Sequence, residues 1–369
     1  MADTNTDAPS AVQPLSEIWF TRCPVPTATG LAYQLGWLDD AFAADGIAVR
    51  TLQDNPELGR HHYDHRLRTL IREGGNMLAI AARAQGEDTR LVGLTWIEEA
   101  QVILVRPDSG IRSPADLKGK RVALPGWTDH AIPSHLRGCS ISRGMSLAGL
   151  RGALASASLT FDDVDMVEVA QAPRGSGGGR SDSLAGRDGS GLGRLWPIDA
   201  LTDGRVDAVY VKGASALDAA KAHGVVVGIN LDELADRRFR VNNGTPRPIT
   251  VHKDFIEHHF DHLVRFLATT LKAADWARTH AEHLRSIAQD ETLGSADAVI
   301  EAYGEDFHVH LHPDLSPERL TLFELQKKFL LVHGFLDRDF KLDEWVDARP
   351  LAAAQALAKQ EVFPESVLN

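Results

Sequence analysis

Cys23 is one of only two cysteines in a chain of 369 residues, and its setting suits a thiol that does chemistry. It stands in Thr21-Arg22-Cys23-Pro24-Val25-Pro26, between a strand-like run at 17–21 and a helical pattern at 27–44. Proline cannot continue a ladder, so the strand must end here in a turn. A thiol at the head of a helix faces unpaired N–H groups, which favour the thiolate. The competing reading is a small buried hydrophobe, the role most free cysteines play.

Two later stretches offer partners. Arg60-His61-His62-Tyr63-Asp64-His65 supplies imidazoles that can orient a thiol or move a proton near neutral pH; a solvated polar loop is its plainer reading. Ile71-Arg72-Glu73-Gly74-Gly75-Asn76 supplies a planar fork for a two-oxygen anion, and glycines that leave backbone N–H groups open ahead of a helix. Its plainer reading is a surface arginine beside a tight turn.

Other clusters invite less. His308-Val309-His310-Leu311-His312 would present three imidazoles on one face of a strand, and Glu257-His258-His259-Phe260-Asp261-His262 is ligand-like in composition. Both lie in the C-terminal region away from the expected strand ends, so structural or solvated roles are expected and no metal is assigned. The glycine-rich segment 175–193 lacks the Gly-Lys-Ser/Thr ending of a phosphate loop and reads as a flexible connection. Cys139 has no partner motif and reads as structural.

The elements that must carry these residues alternate. Strands are expected at 17–21, 47–52, 90–96 and 101–106, with helices at 27–44 and 77–84 and a helical turn or two at 66–71. A second unit follows, with strands at 121–124, 165–169, 207–211 and 225–229 and helical material at 134–157. A strand at 248–251 then returns to the first unit, and helices at 254–281, 283–289 and 317–333 complete it. Alternation of this kind predicts an α/β protein with mostly parallel sheets. One lobe (1–108 and 247–369) is split by another (109–246), the topology of two-lobed, type II periplasmic-binding-protein-like chains, whose ligand sits in the cleft between lobes. Cys23, His62 and Arg72 then gather at strand ends of the first lobe, where open α/β sheets bind their ligands.

Composition narrows the class. A formal net charge of -12 argues against a nucleic-acid binder, which needs a basic face. Two cysteines make no disulfide framework and no paired C-x-x-C metal pattern, so a reducing compartment is expected. The first 15 residues have no basic and apolar signal pattern, and no apolar run approaches the roughly 18 residues of a membrane span. A cytoplasmic location without membrane or nucleic-acid partners is the expectation.

The run Thr21-Arg22-Cys23-Pro24-Val25-Pro26, followed by His62 and by Arg72-x-Gly74-Gly75, resembles the signature of the 2'-hydroxybiphenyl-2-sulfinate desulfinases, which act in dibenzothiophene desulfurisation. Cys-Pro-Val-Pro and the ten-residue step from His62 to Arg72 are its specific parts. Weaker similarity extends over most of the chain, including 207–210 and 324–345. The resemblance implies a solute-binding-protein-like fold, with Cys23 as catalytic thiol, His62 beside it, and Arg72 with the Gly75 amide on the sulfinate. Gly74 belongs to the same loop, and Thr21 stands where a small hydroxyl residue can bond near the thiol. His61 and His62 differ by one step of alignment. The segment 137–158 departs from the pattern, with Met145 where a substrate-contacting aromatic is expected.

The implied reaction is release of sulfite from a small anionic aromatic sulfinate by a chain that can act as a monomer without metal or redox cofactor. Cys23 would act as proton donor to carbon or as nucleophile toward sulfur. The runner-up is a non-catalytic binding protein for sulfonates or related anions. A thiamine-precursor-synthase-like enzyme of the same fold is a third reading, which two separated cysteines fit poorly.

Overall fold

The computed structural model describes residues 14–21, 25–127, 137–170 and 196–360. Two five-stranded sheets form its frame. The first holds β1 (Glu17–Phe20), β2 (Ala48–Thr51), β3 (Leu70–Glu73), β4 (Thr89–Thr95) and β10 (Arg247–His252) in the order β2-β1-β3-β10-β4. The second holds β5 (Gln101–Val105), β6 (Arg121–Pro125), β7 (Asp165–Val169), β8 (Ala208–Lys212) and β9 (Val226–Asn230) in the order β7-β6-β8-β5-β9.

The two orders are the same pattern. In each sheet four strands run one way and one reversed strand, β10 or β5, lies between the third and fourth. The sheets are therefore mixed, with strands mostly co-directional although half the ladders are antiparallel. The reversed strands are those that the chain enters after crossing between lobes, at 96–100 and at 231–246. β5 falls before the boundary expected at 108, yet it ladders with β8 and β9 of the second sheet.

Helices cover both sheets. The pattern at 27–44 divides into Ala28–Gln34 and Trp37–Ala43, because Gly36 adopts φ 77° and ends the first helix. Thr27 caps the first, its side chain accepting from the Gly30 N–H at 3.0 Å. The expected helix at 254–281 divides at His259 into Lys253–His258 and Phe260–Ala277, and the latter packs on Ala28–Gln34 and on Arg349–Gln360. A continuous buried apolar cluster joins Ile18, Phe20 and Ile71 of the first sheet to Val102, Leu104 and Val209 of the second. No helix among the described residues is long and apolar enough to cross a membrane.

The largest difference from expectation is β3. Residues 66–71 read as helical, yet Leu70–Glu73 is a strand between β1 and β10. All four of its residues are buried, charged ones included, so the inside-outside alternation that marks a half-exposed strand is missing.

Candidate functional site

β3 delivers two charged residues to one end of the first sheet. Successive strand side chains face opposite ways, and here they serve two different walls. Arg72 is 1% exposed, a burial that a guanidinium tolerates only with partners. Its Nε donates to the His62 carbonyl at 3.3 Å and its Nη1 to the Gly75 carbonyl at 3.1 Å. Glu73 is 3% exposed and accepts from Thr29 Oγ1 at 2.6 Å and from Thr95 Oγ1 at 3.2 Å. Burial pushes the Glu73 carboxyl up from its ordinary value, against the two hydroxyls and the nearby Arg247.

Thr21, at the end of β1, donates its hydroxyl to the Glu73 carbonyl at 2.9 Å. Thr21 and Thr29 therefore tie both sides of the β1–helix connection to one residue. Arg22, Cys23 and Pro24 lie outside the described residues; the segments 128–136 and 171–195, with the glycine-rich stretch, lie outside them too.

The histidine segment forms a short helix, His61–Asp64, joined to Arg72 through the His62 carbonyl. His61 and His62 are set apart by their surroundings. His61 Nδ1 pairs with Asp64 Oδ1 at 2.8 Å, whereas His62 lies on the Arg72 side. Burial first and the Arg72 charge second hold the His62 imidazole well below its ordinary pKa, so it is neutral at physiological pH. His65, which the sequence did not single out, is 3% exposed and subject to the same two influences.

Gly74 and Gly75 link β3 to the helix Asn76–Ala84, with Gly75 as its N-cap. Neither has a positive φ; space is what they supply. A Cβ on Gly74 would stand 2.8 Å from Arg72 Cζ, and one on Gly75 would overlap the Asn243 amide. Asn243, on the second crossing between lobes, accepts from the Met77 N–H at 3.0 Å and so caps this helix from a distant part of the chain. Its carbonyl accepts from Lys212 Nζ at 3.2 Å, and Lys212 pairs with Glu99 of the first crossing at 2.8 Å. The anion-suited loop is thus braced by both crossings. Nothing in the local sequence announces Asn243, because its contacts are long-range.

Across from this loop, Gly144 on the helix Ile141–Ser156 admits the Met77 side chain, and the Met145 carbonyl accepts from Asn242 Nδ2 at 3.0 Å. Met145 itself is buried at 8% exposure.

The remaining candidates stand apart. Burial pushes the Cys139 thiol up to about 12, which leaves no thiolate at neutral pH. The 308–312 run is not a strand: Phe307–Val309 is a 3-10 turn, His308 pairs with the Glu305 carbonyl and His312 with Asp275. The described residues hold no group of three or more His, Cys, Asp or Glu side chains placed for a metal.

The family described as NMT1/THI5 like matches residues 32–173. The chain is 28% identical over 365 residues to the 2'-hydroxybiphenyl-2-sulfinate desulfinase of Rhodococcus erythropolis, covering 93% of this chain and 94% of that one. The crystal structure of the desulfurization enzyme DSZB superposes with a TM-score of 0.65 at 25% identity, covering 93% of this chain and 99% of that one. The periplasmic aliphatic sulphonate binding protein SsuA from Escherichia coli gives 0.63 at 18% identity, covering 91% and 92%, which is a likeness of fold.

Proposed function

We propose that this chain is an aryl sulfinate desulfinase that cleaves the C–S bond of a 2'-hydroxybiphenyl-2-sulfinate-like substrate with water. The balanced reaction is R–SO₂⁻ + H₂O → R–H + HSO₃⁻. The observation that carries the reading is the buried Arg72, tied to His62 and set beside Gly74-Gly75 at a helix N-terminus. A planar guanidinium beside the N-terminus of the helix Asn76–Ala84 matches two sulfinate oxygens.

In this reading Arg72 and the Gly75 N–H hold the sulfinate. Cys23, supplied by the connection that Thr21 and Thr29 anchor, gives its thiol proton to the carbon bearing sulfur. The C–S electron pair returns to the ring as SO₂ departs. Water adds its hydroxide to SO₂, and its proton returns to the thiolate by way of His62, whose neutral imidazole can accept it. A second route has the Cys23 thiolate attack sulfur and expel the aryl carbon, which takes a proton from water as it leaves; the hydroxide so formed then hydrolyses the Cys23–SO₂⁻ adduct to HSO₃⁻ and the thiolate. Neither route calls on a metal or redox cofactor. A thiol in this role suits a reducing, cytoplasmic setting, and a monomer carries every group named.

The reading is tested by incubating the chain with 2'-hydroxybiphenyl-2-sulfinate and measuring sulfite and the desulfurised arene together. Equal amounts of both, at many turnovers per chain, support a desulfinase. Tight binding of the sulfinate without turnover would support a sulfonate-binding role instead.

A further inference from the structure

His65 combines three costs that structure alone does not repay. Its φ is 57°, a left-handed conformation that a residue with a Cβ adopts at a penalty and that Gly or Asn would fill better after a helix. It is 3% exposed. Among the described residues neither ring nitrogen has a hydrogen-bond partner of ordinary geometry, although the His62 backbone lies close enough to act on its proton. A buried polar group left in this way loses its hydration without return.

Its charged and titratable surroundings explain what would satisfy it. Arg72 faces it from β3 and His62 from its own helix, while the neighbouring His61 and Asp64 are occupied with each other. With Arg72 cationic, a proton on His65 is repelled while the site is empty. An anion on Arg72 reverses that field: it offers an acceptor to the ring and attracts a positive charge.

We propose that His65 is a further substrate-binding residue, which takes up one proton from solvent when the sulfinate binds and donates a charge-assisted hydrogen bond to it. The inference rests on the sulfinate reading above and adds a group that the sequence pattern did not assign.

The test is titration calorimetry of benzenesulfinate into wild type, His65→Asn and His65→Gln at pH 7.5, in buffers of low and high ionisation enthalpy. Asparagine tolerates the backbone angle, so thermal unfolding of this variant should match or exceed wild type. Wild type is expected to take up close to one proton, and both variants none. His65→Asn should bind roughly 10- to 100-fold more weakly, the loss of one charge-assisted hydrogen bond. Buffer-independent binding by wild type, or an uptake that persists in the variants, would overturn the inference and leave the functional reading intact. Failure of wild type to bind benzenesulfinate or sulfite would overturn both.

Discussion

Nε of Arg72 donates to the His62 carbonyl at 3.3 Å, so the guanidinium is bound to the imidazole-bearing segment ten residues before it. The same side chain reaches forward to the Gly75 carbonyl. Arg72 thus fixes the spacing between an imidazole and a pair of glycines while remaining almost fully buried.

Arg72→Lys keeps the charge and loses the fork. Lysine cannot span His62 and Gly75 together or meet two oxygens of one anion in a plane. The expected result is a fall in kcat/KM of about 100-fold with the fold retained, equivalent to about 2.7 kcal/mol. Steady-state kinetics beside a thermal melt checks this.

Gly75→Ala drives a methyl into the Asn243 amide and displaces the cap from Met77. Activity should fall, and the melting temperature with it. Gly75→Ala with Asn243→Ala restores the space but not the cap, which is worth about 1 kcal/mol. The double variant should therefore recover activity relative to Gly75→Ala while remaining less stable than wild type. A double variant no better than Gly75→Ala would show that the glycine serves something other than space for Asn243.

Glu73 has a folded pKa raised above its unfolded value. The stability tied to its proton is complete below about pH 4.5 and is lost as pH rises through the folded pKa. Glu73→Gln removes that loss, and its amide can still bond Thr29 and Thr95. Melting temperatures from pH 4.5 to 8 should place the variant near wild type at the acid end and increasingly above it toward pH 8.

His62 and His65 have folded pKa values depressed by burial. They contribute stability above about pH 6.5, lost as pH falls toward the folded values, because the unfolded chain takes up protons first. Each contributes up to about 1.4 kcal/mol per pH unit within that window. Unfolding by urea between pH 5 and 7 should show a shallower acid loss for His62→Gln than for wild type, by up to one proton.

Much of the frame was legible in the sequence because it rests on pattern. Runs such as 102–105 and 208–211 are apolar, as buried strands are. Gly36 and His259 broke two long helical patterns whose apolar spacing continues across the break. β3 is hidden in the sequence, where 66–71 reads as a helical turn and Arg72 as a surface arginine beside a tight turn, yet Arg72 and Glu73 are both buried. Their burial is supplied by residues far along the chain, Thr95 and Arg247 among them. The same distance hid Asn243. The ten-residue step from His62 to Arg72 was readable, whereas the role of Glu73 as an anchor for Thr21 and Thr29 needed the folded strand.

The central claim is thiol-dependent desulfination, and the measurement closest to it is sulfite release from 2'-hydroxybiphenyl-2-sulfinate by wild type and by Cys23→Ser. The account predicts steady release by wild type and, for the variant, loss of release with sulfinate binding retained. Release by Cys23→Ser at the wild-type rate would contradict it.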